Sequence, residues 1–135
     1  MIRWPGKVKA GTSQSLVESI DLAPTILLAA GLKPTADMPG LNLLDAAALA
    51  KRKAIFGEIF LHTAADLDRL APNLRYRWVI DGHWKLIVPD ARTEPGKAPE
   101  LYDLYSDPHE TKNLAAQHPD TVADLTAKLD AWWKP

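Results

Sequence analysis

Apolar positions recur at helical spacing near both ends of the chain and gather into strand-like runs between them. Leu22, Ile26, Ala29 and Ala30 share one helical face, which Leu27 and Leu28 widen, so a helix is predicted from Asp21. Asp21 is placed to cap it and Pro24 falls in its first turn, where a missing N–H costs little. Gly31 fits the C′ position and Pro34 stops any continuation. The stretch Leu22 to Leu32 reads as a buried helix. It is about half the ~20 residues a membrane span requires, so no membrane partner is expected. Residues 33–45 read as surface loop, and Leu43 to Lys51 as a short alanine-rich helix.

Ala54 to Phe60 carries the β-branched and aromatic residues of a strand. Arg75 to Ile80 and His83 to Val88 flank Asp81-Gly82, which predicts a hairpin closed by a type I′ turn. Leu101 to Tyr105 is a further short strand. Asp107, Pro108 and Glu110 fit the N-cap, N1 and N3 positions of a helix start. A last helix begins near Pro119, with Val122, Leu125, Leu129 and Trp132 on one stripe. The sum is an α+β fold: a small antiparallel sheet of about four strands, including a hairpin, with a packed C-terminal helix.

The chain has 135 residues, a net charge of −1 and no cysteine. That charge balance excludes broad nucleic-acid binding, which needs clustered Lys and Arg. The lack of cysteine excludes a disulfide framework, a thiolate metal site and a cysteine nucleophile. No glycine-rich phosphate loop and no Gly-x-Ser-x-Gly elbow is present. His62, His83, His109 and His118 are scattered rather than set at ligand spacing. Residue spacing alone therefore names no reaction, no catalytic residue and no metal ligand.

Four segments, in order, carry a resemblance. They are Ile2 to Gly11 with its Trp4-Pro5-Gly6, Ser19 to Leu27, Tyr76 to Ile87, and Glu100 to Leu104 running into Asp107 to Ala115. Together they resemble the C-terminal part of the sulfatase family, within the alkaline-phosphatase-like superfamily, over Ile2 to Trp133. The resemblance implies a parent several times longer. Its core would carry Cys-x-Pro-x-Arg or Ser-x-Pro-x-Arg, whose first residue becomes formylglycine, and carboxylates and an Asn that hold calcium. Neither motif occurs here. The chain is thus expected to be a C-terminal piece with Met1 internal to the parent, inactive alone, without cofactor of its own, and to complete the fold of a missing N-terminal catalytic core. Residues 1–50 would end the α/β core region with one helix, and 51–135 would form the antiparallel-sheet subdomain. Secretion or a periplasmic address is what the family suggests for the parent.

The resemblance also directs attention to the polar connection after the first strand. His62 would line the pocket of a sulfated small molecule or glycan, as a His does near this position in sulfamidase-like members. Arg75 would reach an anionic sugar, since a guanidinium fork matches sulfate and carboxylate. Asp66 would accept from sugar hydroxyls. Each has a plainer role available: a loop histidine, a strand charge facing water, and a solvated loop carboxylate. Two other functions stay open: a stand-alone α+β module binding an anionic glycan without catalysis, and the tail of a phosphonate or phosphodiester hydrolase. As the tail of a larger enzyme, the chain should expose apolar surface, including the Leu22 to Leu28 helix.

Overall fold

The computed structural model describes all 135 residues. They form two compact units, Met1–Lys53 and Ala54–Pro135.

The first unit holds a 3-10 turn, Ser19–Asp21, then helix α1, Leu22–Ala29, and helix α2, Ala46–Lys51. Helix α1 ends in a Schellman arrangement: Gly31 takes a φ of 76°, Leu32 N–H donates to the Leu27 carbonyl and Gly31 N–H to that of Leu28. Helix α2 is capped by the Asp45 side chain, which accepts from the Ala47 and Ala48 N–H groups.

Two expectations for α1 are corrected. Asp21 caps nothing ahead of it: its carboxylate turns back and accepts from the N–H of Glu18 and that of Leu41, both at 2.8 Å. Arg52 closes on the same carboxylate with two bonds, at 2.6 and 2.7 Å. The buried face of the helix is Pro24 and Thr25, not the apolar stripe. Leu22 and Ile26 are 51% and 65% exposed, because the polar hub around Asp21 is what the helix folds onto. Thr25 joins that hub, donating to the Asp21 carbonyl and accepting from Leu43 N–H. Gly40 is required where the loop passes under the 3-10 turn, since a Cβ there would stand 2.2 Å from the Ile20 carbonyl oxygen. The unit therefore leaves Ile20, Leu22, Ile26, Leu28 and Leu32 on its surface, and Met1, Ile2 and Trp4 line a groove with α1.

The second unit is an antiparallel meander of β1 (Ala54–Phe60), β2 (Leu74–Asp81), β3 (Trp84–Pro89) and β4 (Glu100–Asp103), with helix α3 (Pro119–Trp132) on one face. Period-2 alternation puts Phe56, Val79, Leu86 and Leu101 opposite one another on that face. Val79, Leu86 and Leu101 bury with Leu125 and Leu129 of α3 into one core. The α+β expectation holds, down to the four strands and the packed last helix.

The hairpin differs in its turn. Asp81 still pairs with Trp84, so the two loop residues are Gly82 and His83. Only Gly82 has positive φ, which is the II′ pattern rather than I′. No helix starts at Asp107. Its carboxylate accepts from the N–H groups of Thr111 and Lys112, and Glu110 sits at a φ of 56°, outside helical space. The segment instead covers the β4 edge: Leu114 N–H donates to the Leu101 carbonyl and the Asn113 side chain accepts from Leu101 N–H.

Candidate functional site

The three candidate residues belong to the loop after β1 and to the start of β2, at one end of the β1–β2 pair. Phe60 pairs with Leu74 across a bulge, and Leu61 N–H then donates to the Asn73 carbonyl at 2.7 Å. This closes residues 62–72 into a loop over the strand ends. His62 leaves β1 exposed on that loop. Asp66 lies further along it, and Arg75 is the second residue of β2.

The loop contributes little apolar surface of its own, with Leu67 at 92% and Leu70 at 66% exposure. Polar contacts give it shape. Asp66 accepts from the N–H groups of Asp68 and Arg69, each at 2.9 Å, and from the Arg69 Nε at 2.7 Å. The Arg69 guanidinium beside it, with those backbone donors, holds its carboxyl below the usual carboxylate range. Buried Asn73 bonds the loop backbone with both ends of its amide. Sequence reading passed over Asn73 because its partners are backbone groups; a Pro72-Asn73 pair ahead of a strand is the only local signal.

Arg75 gives its Nε to Glu94 at 2.5 Å, and its guanidinium stands 5.5 Å from the centre of the Tyr76 ring. Glu94 is buried and also pairs with Lys97 at 2.8 Å. Those bonds, Lys97 first and then Arg75, bring its carboxyl down to about 2. One edge of Arg75 is thus committed, while the side chain stays 41% exposed. Its neighbour on the same face, Arg77, takes no part: it is buried, donating to the Trp133 carbonyl and, at 2.9 Å, to Asp130. It ties the end of α3 to the sheet.

Guanidinium, imidazole and carboxylate groups can each pair with anions or hydroxyls. No group of three or more His, Cys, Asp or Glu side chains is placed to hold a metal ion.

The comparisons bear on the whole chain. A profile described as N-sulphoglucosamine sulphohydrolase, C-terminal, matches residues 1–134. An N-acetylgalactosamine-6-O-sulfatase of Bacteroides thetaiotaomicron is 32% identical over 97% of this chain and 26% of its own length. A structure from work on glycosaminoglycan metabolism in the same organism superposes with a TM-score of 0.71 at 22% identity, over 91% of this chain and 28% of that one. A third, solved in complex with its substrate D-glucosamine-2-N,6-O-disulfate, gives 0.64 at 24% identity, over 96% and 26%. The chain spans about a quarter of the length of the curated relatives it matches. With the profile running from the first residue to the penultimate one, the chain belongs to the N-sulphoglucosamine sulphohydrolase C-terminal family of sulfatases.

Proposed function

We propose that this chain is the C-terminal part of a sulfatase acting on a sulfated sugar, where it completes the fold and forms one wall of the substrate pocket. The observation that carries this reading is the match over residues 1–134 to a C-terminal family, set against relatives about four times as long. The exposed apolar face of α1 supports it, since a line of Leu and Ile in water is the surface a neighbouring core would cover. In this reading His62 and the exposed part of Arg75 meet the anionic and hydroxyl groups of the sugar, and Asp66 accepts from a hydroxyl in place of the Arg69 side chain that now pairs with it. The nucleophile, as formylglycine, and calcium belong to the catalytic core, and the parent is exported. These residues bind and orient; they do not break the S–O or S–N bond.

The test has two arms. The DNA upstream of Met1 is read in frame for Cys-x-Pro-x-Arg or Ser-x-Pro-x-Arg. The extended protein and the 135-residue chain are then assayed with calcium on a sulfated glucosamine, on 4-nitrophenyl sulfate and on a phenyl phosphonate ester. Turnover of the sulfated substrates by the extended protein alone supports the reading. Sulfate turnover by the short chain, a preference for the phosphonate, or a true start at Met1 with no upstream core would each overturn it.

A further inference from the structure

Residues 61–70 carry two of the three proposed contacts, yet almost no apolar anchor, and one side chain ties them to the start of β2. Asn73 is 6% exposed. Its Oδ1 accepts from Ala65 N–H at 2.6 Å and Asp66 N–H at 3.0 Å. Its Nδ2 donates to the Asp66 carbonyl at 2.5 Å and the Arg69 carbonyl at 2.9 Å. Its main chain does the same: the carbonyl accepts from Leu61 N–H at 2.7 Å and the N–H donates to the Leu70 carbonyl at 2.9 Å. The amide's two donors and its acceptor oxygen, together with both backbone groups, are spent on the segment that Asn73 closes.

The consequence for the site is geometric. His62 lies in the arch between Leu61 and Ala65, and both feet of that arch stand on Asn73, one on its carbonyl and one on its Oδ1. Asp66 is held at its own N–H and its own carbonyl by opposite ends of the same amide. Beyond these, only the bonds of the Asp66 carboxylate to Asp68 and Arg69 shape the loop, because its apolar side chains Leu67 and Leu70 are exposed.

We propose that Asn73 is the positioning residue for sugar recognition, setting His62 and Asp66 before the substrate arrives. It touches no substrate itself, and it rests on the reading that these two residues face the sugar. A group held ready saves the cost of ordering it on binding, so the loss should appear in KM rather than in kcat. No other residue type serves equally. Asp keeps the acceptors but turns an oxygen toward the Asp66 and Arg69 carbonyls, and Ala removes all four side-chain bonds.

The test pairs two measurements on Asn73→Ala. Hydrogen exchange of this chain should show residues 61–70 exchanging at least about tenfold faster, with β3 and α3 unchanged. In the extended enzyme, KM for a sulfated glucosamine should rise about tenfold or more with kcat within about twofold, and KM for 4-nitrophenyl sulfate, which has no sugar, should stay put. Added to His62→Ala with Asp66→Ala, the Asn73 change should cost little more, since it acts through them. Where Asn73→Ala loses β3 and α3 protection, Asn73→Asp, which retains the bonds to Ala65 and Asp66 N–H, is read by the same criteria. A raised KM in His62→Ala with an unchanged one in the Asn73 variant would overturn the positioning role and leave the pocket reading standing. Unchanged KM in both His62→Ala and Asp66→Ala would overturn the pocket reading, and the positioning role with it. A kcat and KM shifted alike on both substrates would mark Asn73 as structural only.

Discussion

Replacing Asp21 with Asn tests whether charge, rather than shape, organises the first unit. Asn keeps the volume and one acceptor oxygen. It removes the negative charge facing Arg52, whose side chain is only 9% exposed. Arg52 hydrogen bonding to Asp21 is the main cause that holds the Asp21 carboxyl down at about 2 against an ordinary 3.8; burial opposes it, and the Glu18 and Leu41 N–H groups assist. A carboxyl held that far down corresponds to roughly 2–3 kcal/mol. Breaking a buried ion pair outright costs about 3–5 kcal/mol, because the surviving charge is left desolvated. Asp21→Asn should therefore destabilise the unit by about 2–4 kcal/mol at neutral pH.

The pH dependence gives the sharper test. A carboxylate with a depressed folded pKa contributes fully above its unfolded value, near 3.8, and loses that contribution as pH falls through the folded value of about 2. The wild-type lead over Asp21→Asn should be constant from pH 7 to about 5, shrink below about 4, and be mostly gone near pH 2. Urea titrations followed at the amide signals of Leu41 and Leu43 report this hub rather than the sheet, since those amides bond the Asp21 and Thr25 side chains. Equal urea midpoints at pH 7 would refute the argument. So would a gap that persists undiminished to pH 2, because the cost of the Asn would then not be the cost of a missing charge.

Three further outcomes follow from the packing. Leu129→Ala, at a fully buried site in the core under the sheet, should cost about 2–5 kcal/mol in chemical denaturation read by α3 helicity; a cost below about 1 kcal/mol would mean the helix docks without it. Gly40→Ala should destabilise the first unit by about 1–3 kcal/mol or more, because the new Cβ meets the Ile20 backbone; unchanged exchange at Leu41 N–H would contradict this. The loop after β3 should loosen as pH falls from about 4.5 toward about 2, where Glu94 takes up its proton and releases Lys97 and Arg75; Glu94→Gln should show the same loosening at pH 7 by hydrogen exchange of residues 89–99.

What could be read from sequence and what could not divide along the range of the interactions. The strands were legible because their signal is local: β-branched and aromatic runs bounded by turn residues give β1 to within its ends, and Gly82 marks the hairpin whatever the turn type. The stripe of α3 was legible because period and burial agree, with Leu125 and Leu129 both inside. Helix α1 was misread for the opposite reason. Its apolar face is real, but the partner that fixes the helix is Arg52, 31 residues beyond Asp21, and no local pattern announces that pairing. The same limit applies to the candidate site. His62, Arg75 and Asp66 stand out as residue types, whereas Asn73 acts through backbone groups that every sequence has. Its role emerges only once the bulged end of β1 brings Leu61 to its carbonyl.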